Sequence, residues 1–414
     1  MLSTVLRVLV RCWPALLAWF LVGWTVRALI IRGGSYLLNI SYDLGDLVLP
    51  LAILAQLAAY VGMFFAIKRE LRHVSQADDV QAGESAVSAA RQWRESLLAS
   101  ILPFFLLYLA WNLNVADRTD LYAASLTQGN FGSDSRVESV TWFVLGFAVL
   151  AFVARWLLGR FSARLPRWST LLATYLEAVW VFIALSWIQH GLGILGSWLS
   201  TRRMFGGIVD AWAELRANFA WLGAIGDAIG WTWAQIGTLV GLPLAWLAFA
   251  SIIYFGTMPR SPRPDSSVAR VASERWNRMP VWLQRVGSTA SAGILDRWRP
   301  VTLAARLIWR SGPIAMGTYL LAFAVITAAS EWLSMLIFRL LGPHEVAWWY
   351  GASDAVNLGV SAVLAVLQVC VVAAAFDHAL RSDAAEQGAL EEIVEEAGDA
   401  VSAAAAPAGT PPST

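Results

Sequence analysis

The stretch LLATYLEAVWVFIALSW, residues 171–187, decides how this chain is read. It is apolar and aromatic almost throughout, and its one charge is Glu177. A helix of about 20 such residues crosses about 30 Å of hydrocarbon, and the apolar run extends from 169 to 190. A carboxylate at that depth has to be protonated, paired or wet. The sequence therefore raises two questions, how many such spans there are and what compensates Glu177.

Composition answers the first in outline. The chain is 58% hydrophobic and 14% charged, with a mean hydropathy of +0.57. A soluble domain carries about 25% charged residues, so lipid is the expected solvent. Eight apolar runs are long enough to be read as spans, approximately 13–31, 47–67, 96–113, 140–158, 169–190, 231–255, 313–340 and 353–378. The third contains Pro103 and is the shortest, which marks it as the one to doubt. The lengths exclude barrel strands. The expected fold is all-α, a polytopic transmembrane helix bundle of about eight spans with amphipathic helices at its interfaces. The bundle occupies 1–380, followed by an acidic, low-complexity tail over 381–414 that is read as largely disordered.

Orientation follows from where the cations fall. Counting Lys and Arg in loops, eight alternating spans with both ends inside place 21 of the 30 basic residues on the inner side. The segment 256–312 alone holds ten Arg, and the loop 342–352 holds none. Both termini are thus expected in the cytoplasm. The basic set is one Lys, Lys68, and 29 Arg in an Ala-rich and Trp-rich background, which fits a high-GC bacterial genome and hence the bacterial cytoplasmic (inner) membrane. Arg7 and Arg11 precede an apolar run too long for a signal peptide, so that run is read as a retained first helix.

Two nonspanning segments have their own pattern. Over 202–230, Phe205, Ile208, Trp212, Leu215, Phe219 and Leu222 recur at helical spacing, as in an amphipathic helix on the outer face. Over 256–312, Arg alternates with Trp and aliphatic residues, a composition that favours anionic lipid headgroups. Nucleic acid is not expected, since no binding module accompanies the arginines.

No catalytic signature is present: the chain lacks GxxxxGK[ST], HExxH, G-x-S-x-G and CxxC. The four His and two Cys are scattered, so neither a metal site nor a cofactor is expected. The residues that stand out are membrane-depth charges. Arg155, near the inner end of the fourth span, is expected to reach Glu177, and Arg27 to meet Glu331 at the outer level. Gly230, Gly237 and Gly241 place small residues on nearly one face of the sixth span and are expected to pack against a neighbouring helix. The sequence favours a nonenzymatic scaffold or the integral subunit of a membrane assembly, with a membrane-protein partner or a second copy. The alternative is a transporter of a small solute or lipid that uses Glu177 and Glu331.

Overall fold

The computed structural model describes residues 2–38, 44–45, 47–71, 89–110, 113–127, 142–160, 169–202, 218, 220–255 and 312–404. Among them the chain is helical, with no strand. Ten α-helices follow in order: α1 (Leu2–Leu38), α2 (Leu49–Lys68), α3 (Ala89–Ala110), α4 (Leu113–Thr127), α5 (Trp142–Arg160), α6 (Ser169–Ser200), α7 (Ala220–Ile236), α8 (Leu242–Phe255), α9 (Pro313–Leu341) and α10 (Val346–Ala404). A π-helical turn, Gly237–Gly241, joins α7 to α8. The Arg-rich segment up to 311, most of the amphipathic stretch at 203–217 and the last ten residues lie outside the described set.

Five helices are long and apolar enough to cross a membrane: Leu2–Leu38, Leu49–Lys68, Leu171–Ser200, Pro313–Leu341 and Val346–Arg381. The other three stretches expected to span shrink to the apolar pieces Ser96–Phe105, Gly146–Leu158 and Leu239–Tyr254. The expectation of eight full spans is therefore not reproduced. Among the described residues these apolar pieces run 10–17 residues, inside longer helices: α3 has 22 residues, α5 has 19, and α8 continues from α7 through the π-turn.

α1 and α2 form the spine, an antiparallel pair held close by glycine. A Cβ on Gly23 would collide with Ala59, one on Gly62 with the Trp19 ring, and one on Gly34 with Val48. Arg11 pairs with Glu70 at 2.9 Å at the far end of the same seam. The contacts run in opposite order along the two helices, which fixes their opposed directions. Around the spine α3 and α8 pack through an aromatic layer. Tyr60 meets Trp246 edge-on at 4.9 Å and Phe104 at 6.4 Å, and Phe64 meets Phe249 and Tyr254 at 5.8 and 5.9 Å. α10 closes the other side of α1, its Phe376 against Tyr254 at 5.3 Å. α9 and α10 make a hairpin turned by Gly342 at φ 75°, a conformation that suits glycine.

The charges of these helices fall on two levels. At the first are Arg11, Glu70 and Lys68, and Asp377 follows Phe376 of the same layer. Arg27 is 16 residues beyond Arg11 on α1, about 24 Å at 1.5 Å per residue. Cys370 of α10 is within electrostatic reach of Cys12, and Asp354 lies 16 residues before it on the same helix, also about 24 Å. Over these intervals α1, α2 and α10 carry no Asp, Glu, Lys or Arg. A charge-free slab of about 24 Å, widened by side chains that reach outward, matches the hydrocarbon core of a bilayer.

One helix runs against expectation. The Tyr175 hydroxyl donates to the Leu47 carbonyl just ahead of α2. Seven residues on, Phe182 packs on Phe105 at 6.0 Å, beside the Tyr60 layer. α6 therefore advances in the same direction as α2. Eight alternating crossings would make the two antiparallel.

Candidate functional site

Asp117, at 1% exposure the most buried charged residue among those described, lies at the second charge level, where α1, α2, α3 and α4 meet. α4 builds this site in an inverted way. Asn114, Asp117, Leu121 and Ser125, spaced by three and four, are buried, whereas Val115 is 56% and Leu126 51% exposed. At 3.6 residues per turn this puts the polar face inward and the apolar face outward, which suits a helix in lipid and not one in water.

Asp117 is the centre of the group, with its side chain only 2% exposed. Arg27 donates to its Oδ1 through both Nε and Nη2, and Tyr108 donates its hydroxyl to Oδ2. Nη2 also reaches Asp120 at 2.8 Å, whose carboxylate is 55% exposed. Beside the group Gln56 shares a hydrogen bond with the Tyr60 hydroxyl, and Tyr60 is within electrostatic reach of Arg27. Both oxygens of Asp117 are thus occupied by protein donors. One acceptor nearby, Asn114 Oδ1, is buried without a donor among the described residues; leaving such an atom unpaired costs about 1–3 kcal/mol.

The second ion pair joins the α5–α6 hairpin. Arg155 Nε binds Glu177 Oε2, with side-chain exposures of 33% and 7%. Phe152 stacks edge-on against Trp180 at 5.4 Å one turn away, so the two helices are antiparallel. Glu177 follows Tyr175 by two residues and so sits near the start of α2, toward the same end of the bundle as Arg27.

The structure brings together Arg155 and Glu177 but not Arg27 and Glu331. Phe338 packs on Trp349 at 5.4 Å across the α9–α10 hairpin, which places Glu331, two turns earlier, opposite the region of Asp354. Glu331 is exposed, and Arg27 is engaged by Asp117 and Asp120. These aspartates were missed because α4 fell in what reads as an outer loop. The signal that identifies them is the 3-4 spacing of Asn114, Asp117, Leu121 and Ser125. Gly230 and Gly237 also depart from expectation: among the described residues a Cβ on either would meet no atom within 4 Å. The close-contact role belongs to Gly23, Gly34 and Gly62.

Among the described residues no group of three or more His, Cys, Asp or Glu is placed to hold a metal ion. Both cysteines are buried and free. What the arrangement does chemically is neutralise buried carboxylates and fix helices to one another. The fold and its two charge levels define an all-helical membrane protein. No protein family, no curated protein and no solved structure matches the chain.

Proposed function

We propose that the chain is a multi-pass integral membrane protein acting as a noncatalytic scaffold or as the integral subunit of a membrane assembly. The observation that carries this reading is the saturation of Asp117 by Arg27 and Tyr108. A carboxylate whose oxygens are all taken by its own protein holds helices in place and offers little to a passing solute. Long apolar faces are left for neighbours in the bilayer, above all on α9, where Leu321, Val325, Trp332 and Leu336 are more than half exposed.

On this reading six helices cross: α1, α2, α6, α9 and α10, with α3, 22 residues long and running from the level of Ile253 to that of Asp117, as the sixth. α5 and α8 return to the face from which the chain entered, which accounts for the parallel run of α2 and α6. Six is even, so both termini remain on one side, the cytoplasmic side of a bacterial inner membrane, together with the ten Arg of 256–312. That segment is the docking surface, for anionic headgroups and for a partner protein. Copurification of the tagged full-length chain in mild detergent tests the proposal. A stoichiometric partner that is lost on deleting residues 256–312 is the expected result, and recovery of the chain alone overturns it.

Transport is the second reading, favoured by the buried polar group around Asn114, Tyr60 and Gln56. It requires Glu177→Gln to abolish uptake while the amount of folded protein is unchanged. The scaffold reading expects the same substitution to lower folded yield.

A further inference from the structure

Between α7 and α8 the backbone leaves the α-helical form, and a Cβ on Gly237 would meet no atom within 4 Å among the described residues. The chain winds as a π-helix over Gly237–Gly241, between two α-helices. π-turns of this kind are local departures from the α-ladder and recur at moving or functional parts of proteins. Pro243 follows directly. It has no N–H for the carbonyl four residues back, at Leu239, so the α-ladder is broken at the turn itself.

The two sides of this turn are held very differently. On the α8 side the Pro243 carbonyl accepts from the buried Tyr319 hydroxyl of α9 at 2.7 Å. Trp246 packs on Tyr60, Phe249 on Phe64, the Tyr254 hydroxyl donates to the Phe64 carbonyl and Ser96 Oγ to the Ile253 carbonyl. On the α7 side Trp221 is 62% and Trp231 66% exposed, and among the described residues the main packing partner of α7 is the turn itself.

We infer that Gly237–Pro243 is a hinge about which α7 swings as an arm while α8 stays fixed in the bundle. This goes beyond the scaffold reading and does not depend on it. The 17 residues of α7 make an arm about 25 Å long, so a change in bend of about 20° moves its tip by about 9 Å.

Pulsed dipolar spectroscopy on the full-length protein in nanodiscs tests the hinge. Spin labels are placed on Ile225→Cys of α7 and Leu51→Cys of α2, both exposed positions. The parent protein, whose two cysteines are buried, is the labelling blank. At Ile225, 12 residues or about 18 Å from Gly237, the expected distance distribution is broad or multiple, with a spread of about 6 Å, and narrows in the Gly237→Ala, Gly241→Ala double variant. Gly230→Ala, in equally open space, leaves it unchanged. A single peak no broader than that of a pair within the bundle, Leu51→Cys with Leu321→Cys, overturns the proposal, as does a spread the double variant does not alter. If that variant does not fold, hydrogen exchange on the unmodified chain decides. Amides of 237–241 are expected to exchange well ahead of those of 244–254, and equal protection across the turn refutes the hinge.

Discussion

Removing one member of the Arg27–Asp117 pair at a time gives a specific ordering of stabilities. Asp117 is 2% exposed, so Arg27→Ala leaves a buried carboxylate with Tyr108 as its remaining described donor. Stranding a buried charge costs about 3–5 kcal/mol. Asp117→Ala is milder, about 2–3 kcal/mol, because Arg27 is 19% exposed and keeps Asp120. Asp120→Ala, at a carboxylate 55% exposed, costs less than about 1 kcal/mol. Replacing both partners, Arg27→Ala with Asp117→Ala, leaves no buried charge unpaired and costs only the Tyr108 hydroxyl its acceptor. The double variant is therefore more stable than the sum of its parts by about 2 kcal/mol or more. Equilibrium unfolding in mixed micelles with rising sodium dodecyl sulfate fraction, followed by tryptophan fluorescence, measures all four variants. Strict additivity in the double variant would refute the reasoning, as would an Asp120→Ala loss equal to that of Asp117→Ala.

Gly62→Val forces side chain into the Trp19 ring and should destabilise by about 1–3 kcal/mol, whereas Gly146→Ala, with nothing within 4 Å, should be neutral in the same unfolding assay. The Arg155–Glu177 pair should show the coupling of the first pair in weaker form, since Arg155 is 33% exposed; exchanging the two residues should recover part of the loss of either single alanine variant. Reporter fusions after Arg167 test the direction of α6: activity on the face opposite the N-terminus is expected, and activity on the N-terminal face restores eight alternating crossings.

The long apolar runs were legible because hydrocarbon imposes one requirement, length without charge, and α1, α2, α6, α9 and α10 meet it openly. Arg155 and Glu177 were legible for a local reason: they sit 22 residues apart on adjoining helices of one hairpin. Arg27 and Asp117 are 90 residues apart, and α4 is a short helix with so many polar residues, among them Asn114, Asp117, Arg118, Thr119 and Asp120, that its composition resembles a loop. Charge counting left the direction of α6 undecided. Moving Arg160, Arg164 and Arg167 to the far face while Arg202, Arg203 and Arg216 join the near face leaves the near-side total at 21 of 30. Only lateral contacts such as Tyr175 to Leu47 separate the two threadings.

The 90 residues between Arg27 and Asp117 also have a consequence in time. A ribosome adding about 5–20 residues per second needs about 5–18 s to synthesise that interval. Through that delay the first helix waits in the nascent chain with its guanidinium uncompensated. Either headgroup phosphates or the insertion machinery must shelter that cation until α4 emerges, so slowing elongation between codons 28 and 117 should lengthen the exposure of α1 to quality-control proteolysis.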